Sequence, residues 1–515
     1  MKSNNKTSAF FLSFSGSWWG LLLLLCAFSA QAQNLRGDVA HFANPIFPGD
    51  YPDPSILIDG EDYYLVHSSF LYYPGLTIWH SKDLVNWQPV SNALTTFVGS
   101  VWAPDLVKYN DKYYIYFPVE NTNYVVWADN IEGPWSEPID LHISSIDPGH
   151  AVDKEGNRYL YWSSGDYVKL SKDGLRTESE MIHSYDGWVI PNDWSIECFC
   201  MEGPKVVKRG DFYYLTVAEG GTAGPGTGHM IVSARSKSVT GPWENSPYNA
   251  ILRAESNLDQ WLSLGHGTIF GDAYGDWWIM FHGYEKHHYN MGRQTMLLPI
   301  EWTSDGWWKI PDGVNVNLPV EHRPKGEKLA SNFQLSDDFK GNELGLQWKF
   351  YKEYNPNRFS FHKGLCVQGK GQSMNDCSPL LVVPSDHSYM ASVEVEIEGN
   401  AQAGLSLFYK EGFNSGILTD GKNVLANLRG WQFITQADVA KSKMYLRLKN
   451  YDNIVDMYYS LDGKQWIKIE NSLEVEGLHH NTLSGFMSLR IGLCAIGDGA
   501  VIFRNFEYQP LNTPQ

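Results

Sequence analysis

Asp59-Gly60-Glu61-Asp62-Tyr63-Tyr64-Leu65 is a tight turn running into an aromatic, branched strand, and it recurs. The later copies are Tyr109-Asn110-Asp111-Lys112-Tyr113-Tyr114-Ile115, Lys154-Glu155-Gly156-Asn157-Arg158-Tyr159-Leu160, Arg209-Gly210-Asp211-Phe212-Tyr213-Tyr214-Leu215 and Tyr274-Gly275-Asp276-Trp277-Trp278-Ile279. Each pairs a turn former with residues that favour strands, which is the signature of a hairpin. Measured between the last apolar residues, the copies are 50, 45, 55 and 64 positions apart, about one four-stranded sheet with its loops. A fixed period of this kind is read before any local detail.

A second signature follows in three of the units: Ser81-Lys82-Asp83-Leu84-Val85-Asn86-Trp87, Asp129-Asn130-Ile131-Glu132-Gly133-Pro134-Trp135, and Ser236 through Gly241-Pro242-Trp243. These read as outer-edge turns closed by tryptophan. Five such units are expected to close into a five-bladed β-propeller, because a ring leaves only short, protected edges. An open sandwich is the alternative, and five in-phase repeats argue against it.

In a propeller the first strand of each blade lines the central funnel. Counting back from the five anchors, a polar side chain stands 10 to 13 residues earlier in every unit: Asp53, Asp105, Asp147, Glu202 and His266. Their neighbours are prolines and glycines, as in Tyr51-Pro52-Asp53-Pro54, Trp102-Ala103-Pro104-Asp105, Ile146-Asp147-Pro148-Gly149, Met201-Glu202-Gly203-Pro204 and Gly265-His266-Gly267. Proline fixes φ and glycine permits close backbone approach, which suits a crowded axis. Clustered carboxylates cannot all ionise cheaply, so their pKa values separate into an acid and a base. Glycoside hydrolysis uses that pair.

Bulk properties narrow the class. Lys2, Lys6, the apolar run Trp18 to Phe28 and Ala30-Gln31-Ala32 read as an export signal over residues 1–32. The protein is thus expected to be secreted or periplasmic. Lys2 and Lys6 are the only charged residues in that segment, so 38 basic and 58 acidic side chains remain, a balance that argues against a nucleic-acid partner. No later apolar stretch approaches the roughly 20 residues that a membrane-spanning helix needs. Aromatic residues reach 14 %, with 20 tryptophans, which suits both blade packing and stacking on sugar rings. Among the cysteines, Cys366 and Cys377 are candidates for a disulfide across a short loop, whereas Cys198-Phe199-Cys200 looks too close for an ordinary one.

The organisation expected is residues 33–322 as the propeller, with Glu321 to Lys328 as linker, and residues 323–515 as a β-sandwich. Period-2 alternation in Ala391-Ser392-Val393-Glu394-Val395-Glu396-Ile397 and Met444-Tyr445-Leu446-Arg447-Leu448 supports the second part.

Together these motifs resemble glycoside hydrolase family 43 over about residues 45 to 310. Matching stretches include Tyr51-Pro52-Asp53-Pro54, Phe70 with Pro74-Gly75, Trp102-Ala103-Pro104, Ile146-Asp147-Pro148, Glu202-Gly203-Pro204, Gly265-His266-Gly267 and Gly292-Arg293-Gln294-Thr295. The resemblance implies an inverting hydrolase with Asp53 as general base, Glu202 as general acid, and Asp147 raising and orienting that acid. It implies a sugar pocket lined by Phe70, Trp102, His266 and Arg293, with Arg293 holding Asp147, and no required cofactor beyond a possible structural calcium reached through water from His266. Asp105 falls on the same axial cavity, at a place where β-xylosidases often carry histidine. Glu197 is an alternative acid. Ser336-Asp337-Asp338-Phe339 and Gln347-Trp348 resemble the concanavalin-like domain of family 43 β-xylosidases, read here as a lid narrowing the pocket, with a separate sugar-binding module as the alternative. The expected activity is release of terminal β-D-xylose or α-L-arabinofuranose from plant cell-wall oligosaccharide or polysaccharide. A non-catalytic sugar-binding propeller and a retaining fructan-type hydrolase are the alternatives.

Overall fold

The computed structural model describes residues 41–331 and 333–512, so the export segment read at 1–32 lies outside the described residues. The five hairpins each seed one blade. Strands Ser55–Asp59, Asp62–Val66, Gly75–Ser81 and Gln88–Leu94 form the first, and Asp105–Tyr109, Lys112–Val119, Thr122–Ala128 and Ile139–Asp140 the second. The third runs Gly149–Val152, Arg158–Tyr161, Asp166–Lys169 and Ile182–His183. The fourth is built on Met201–Arg209, Phe212–Glu219 and Met230–Ser236, and the fifth on Trp261–Gly271, Trp277–Glu285 and Arg293–Pro299. In the second hairpin Tyr109 pairs with Lys112, and the two intervening residues, Asn110 and Asp111, have φ of 48° and 60°. That is the left-handed pair a two-residue turn between twisted strands requires, and Asn and Asp accept it most readily after glycine.

The fifth blade has only three strands of its own, and the N-terminal segment completes it. Phe47 bridges Thr295, and Phe42 bridges Val320, so the chain's entry and exit close the ring together. Phe47 and Phe42 pack with Trp278, Trp308 and Val320 in one core cluster, so closure is hydrophobic as well as hydrogen-bonded.

The C-terminal domain is dominated by two long antiparallel strands, Tyr389–Lys410 and Arg490–Pro510, paired from Tyr389 with Pro510 to Phe408 with Arg490. Both change course near Gly399 and Gly499, whose φ of 71° and 146° lie in the region that favours glycine. Before that point the first long strand pairs with Lys443–Tyr451, and after it with Phe413–Thr419. Two packed layers result, and Met444, Leu446 and Leu448 point inward at every second position between polar neighbours.

The domains are joined tightly. The stretch read as a linker is pinned to the propeller, with Arg323 on Asp83 at 3.1 Å, Lys325 on Asp276 at 3.2 Å and His322 stacked on Trp278. Tyr72–Tyr73 in the first blade pairs with Lys349–Tyr351 of the sandwich, and buried Asp50 meets buried Arg490 at 3.1 Å. Breaking such a buried pair from one side typically costs about 3–5 kcal/mol, so Asp50 and Arg490 hold the interface in register.

The cysteines differ from the sequence expectation. Cys198 and Cys200 form the disulfide, their Cα atoms 5.2 Å apart, and Phe199 between them is 82 % exposed. Cys366 and Cys377 are free because they face different cores: Cys366 packs with Ala500 and Ile502, Cys377 with Cys494 and Met374.

Candidate active site

Three of the five axial side chains converge around a fourth. His266 places Nδ1 3.4 Å from Asp53 Oδ1, and Nε2 3.4 Å from both Asp147 Oδ2 and Glu202 Oε1. An imidazole thus separates Asp53 from the other two carboxylates, which caps the Asp53 to Glu202 separation at about 9 Å and is compatible with the roughly 6.5–9.5 Å of an inverting pair. The pocket above them, about 380 Å³, is walled by Phe70, Trp102, Thr222, Arg293 and Phe486.

The backbone is bent to achieve this. Asp53, Phe70, Asp147 and His266 have φ of 56°, 45°, 59° and 49°, all left-handed. Such residues cost about 1–3 kcal/mol each and persist only where the surroundings over-determine them. The surroundings here are close: a Cβ on Gly203 would stand 3.2 Å from the His266 ring, and one on Gly265 only 1.9 Å from His229. Glycine at 203 and 265 is therefore what lets the two histidines approach the carboxylates.

Charge is distributed unevenly among the three acids. Burial alone raises the proton affinity of Asp53, yet Arg293, His266 and His282 outweigh it and hold the carboxyl well below its usual range. Arg293 is bidentate, with Nη1 to Oδ1 at 2.8 Å and Nη2 to Oδ2 at 3.1 Å, and Ser68 donates to Oδ2 at 2.5 Å. Asp53 is therefore permanently ionised and fixed in orientation. Arg293 was expected on Asp147. It reaches Asp53 instead, because its strand in the fifth blade lies beside the chain entering the first, where Tyr51 N–H donates to the Arg293 carbonyl at 3.0 Å.

Asp147 behaves oppositely. Burial, reinforced by the charges of Glu202 and Asp53, pushes its pKa up to about 7 against the pull of His266. The Gly203 N–H donates to it at 3.1 Å. Glu202 was expected to carry the raised pKa, but the side chains of His229 and His266 overcome its burial and lower it. His266, despite burial, is raised to about 9 by Asp53, Asp147 and Glu202, so it is a cation at neutral pH. Asp147 and Glu202 both face the same Nε2, so their titrations belong to the pair, which holds one proton near neutrality. Glu202 is the most open of the three, its side chain 19 % exposed against 4 % for Asp53 and 5 % for Asp147. Its Oε1 lies 3.1 Å from His229 Nε2, an ion-pair distance, but makes no aligned hydrogen bond among the described residues.

Asp105 does not join them. It accepts from Lys205 Nζ at 2.7 Å, Ser55 Oγ at 3.2 Å and the His150 N–H at 2.7 Å, and it is absent from the pocket wall. Those three donors occupy both its oxygens, so the sugar-binding role expected of it is replaced by a structural tie between blades. Glu197 is exposed and binds the Ala223 N–H at 2.7 Å, away from the pocket. Glu219 holds the Trp188 N–H at 2.8 Å, and burial pushes its pKa up to about 7.

His229, His282, Ser68, Thr222 and Phe486 were not read from the sequence. His229, just before the strand Met230–Ser236, and His282, on Trp277–Glu285, come later in their blades, outside the first-strand offset that exposed the others. Phe486 comes from the sandwich, where it stacks on His480 at 3.7 Å and approaches Trp102 at 6.3 Å. A second void, at the domain junction, has Asp50 as its sole carboxylate among the described residues and so lacks an acid and base pair.

A five-bladed ring with three acids around an axial cation defines a glycoside hydrolase. Residues 42–308 match the model of glycosyl hydrolases family 43, and the chain belongs to that family. Residues 336–509 match the β-xylosidase C-terminal concanavalin A-like domain. A non-reducing-end α-L-arabinofuranosidase of Bacteroides ovatus is 33 % identical over 64 % of this chain and 65 % of its own length, just under two thirds. A xylan 1,3-β-xylosidase of a Vibrio species is 28 % identical over 84 % of this chain and 90 % of its own. Among solved structures, a family 43 protein from Bacillus licheniformis superposes with a TM-score of 0.83 at 26 % identity, covering 92 % of this chain and all of the other.

Proposed function

We propose that this protein is an exported, exo-acting, inverting glycosidase that removes terminal β-D-xylose or α-L-arabinofuranose from plant cell-wall saccharides. The observation that carries the reading is the meeting of Asp53, Asp147 and Glu202 around His266, each 3.4 Å from a ring nitrogen. The similarity to relatives named as a xylosidase and an arabinofuranosidase supports the pentose class. Phe486 supports exo action, because it adds a wall from the sandwich domain to the propeller's pocket. Export rests on the character of residues 1–32.

In this reading Asp53, held ionised by Arg293, takes a proton from a water that attacks the anomeric carbon. Glu202 donates to the departing oxygen from the mouth of the pocket. Its proton comes from the one shared with Asp147, and His266, facing both oxygens, is the path: Nε2–H passes to Glu202 while Asp147 re-protonates the ring. Thr222 Oγ1, buried and without a partner among the described residues, is placed to meet a sugar hydroxyl. A calcium ion reached through water from His266 would require a neutral ring. The protonated ring itself supplies the central positive charge.

The test is a panel of aryl β-D-xyloside, aryl α-L-arabinofuranoside and aryl β-D-galactoside, with the first-formed anomer followed by NMR. Inverted pentose is the expected product. Retention of configuration, or binding of every pentoside without turnover, would reverse the proposal.

A further inference from the structure

A second group of histidines lies at the other contact between the domains. Glu285 ends the strand Trp277–Glu285 of the fifth blade, His288 follows it in the turn, and His387 stands in the loop that precedes Tyr389–Lys410 of the sandwich. One ligand-capable atom from each lies within 4.8 Å of the other two. His387 Nε2 is 2.8 Å from Glu285 Oε2, and the rings of His288 and His387 stack with centroids 3.7 Å apart.

The second ring fixes the chemistry. His288 Nε2 lies 2.8 Å from Asp452 Oδ1, so that nitrogen carries the proton and Nδ1 presents a lone pair. Nδ1 is buried and makes no hydrogen bond among the described residues. A carboxylate that sets the tautomer of an imidazole whose other nitrogen is unpartnered is the arrangement found behind metal-ligating histidines. Glu285 is supported similarly: Gln260 Nε2 donates to Oε1 and Gln294 Nε2 to Oε2, both at 3.2 Å. A small pocket lined by His288, Asp386, His387 and Asn453 adjoins the group and admits solvent for a remaining ligand.

We propose that Glu285, His288 and His387 form an interdomain site for a borderline divalent transition metal of the zinc class. Two imidazoles, one carboxylate and a water make the four-coordinate set that such an ion takes, at about 2.0–2.2 Å to each protein atom. To reach it His387 must turn off the His288 ring and open its contact with Glu285, and its side chain, 41 % exposed, has the room to do so. Since two ligands belong to the propeller and one to the sandwich, the ion would clamp the domains together. It would favour the folded, docked protein by mass action.

The experiment uses the full chain, stripped of metal by chelator dialysis. Titration with Co²⁺ is expected to produce visible d–d bands that saturate at one equivalent and disappear when Zn²⁺ is added. Zn²⁺ is expected to raise the melting temperature by several degrees. His387→Ala, at a half-exposed position, should fold and lose both effects, as should His288→Asn. Glu202→Gln should retain both, because it alters the other His and Glu group, in the sugar pocket. Absence of bands, equal response in His387→Ala, or loss of the response in Glu202→Gln would each overturn the proposal, the last by moving the ion to the sugar pocket.

Discussion

Replacing Asp147 with Asn should make this protein more stable above neutral pH while removing most of its activity. The carboxyl is buried, and its pKa is raised from 3.8 to about 7, mainly by desolvation and then by Glu202 and Asp53. A raised folded-state pKa contributes stability that is fully present below the unfolded value and is lost as pH rises through the folded value. The wild type should therefore lose stability between about pH 4 and pH 7. At 1.36 kcal/mol per unit, the shift amounts to about 4 kcal/mol at most. Asparagine removes that loss and keeps an oxygen for the Gly203 N–H, so the variant should match the wild type near pH 4 and exceed it by a few kcal/mol at pH 8. For a domain of this size that is a rise of a few degrees in melting temperature. Calorimetric scans of both proteins at pH 4.5, 6 and 8 measure the difference directly, and the comparison cancels slopes from groups common to both. A difference that does not grow with pH, or a variant less stable at pH 8, would refute the assignment of the buried proton to Asp147.

Other outcomes follow from the same geometry. Glu202→Gln should fold and lose at least about a hundredfold in kcat on alkyl-like leaving groups, yet recover much of it on an activated dinitrophenyl glycoside that needs no acid; equal loss on both would remove Glu202 from that role. The alkaline limb of kcat/KM should fall through about pH 7, where the Asp147 and Glu202 pair gives up its shared proton; a flat profile to pH 9 would contradict this. Arg293→Lys exchanges a bidentate clamp for a point charge, so the pKa of Asp53 should rise and the acidic limb should move to higher pH. Phe486→Ala should raise KM for pentosides about two- to tenfold with little change in melting temperature, since it removes one aromatic wall supplied by the sandwich.

The sequence by itself determined the ring and most of its chemistry. Turn residues and aromatic strands are local properties, so five recurring hairpins could be read from Asp59 to Ile279, and a similar offset from each pointed to Asp53, Asp105, Asp147, Glu202 and His266. The alternation around Met444 and Leu448 likewise announced a two-layered sheet. What only the tertiary structure decided is who faces whom. Asp105 stands at a similar offset, yet Lys205, a hundred positions later, pairs with it outside the pocket wall. Arg293 clamps Asp53 because ring closure sets the last blade beside the first. Proton affinity is raised at Asp147 and lowered at Glu202 because both face His266 but only Glu202 has a second imidazole, His229, at 3.1 Å. The same holds for Phe486, which enters the pocket from a separate domain. Period and propensity act over a few residues, whereas desolvation and charge pairing depend on distances through space, and those exist only once the chain has folded.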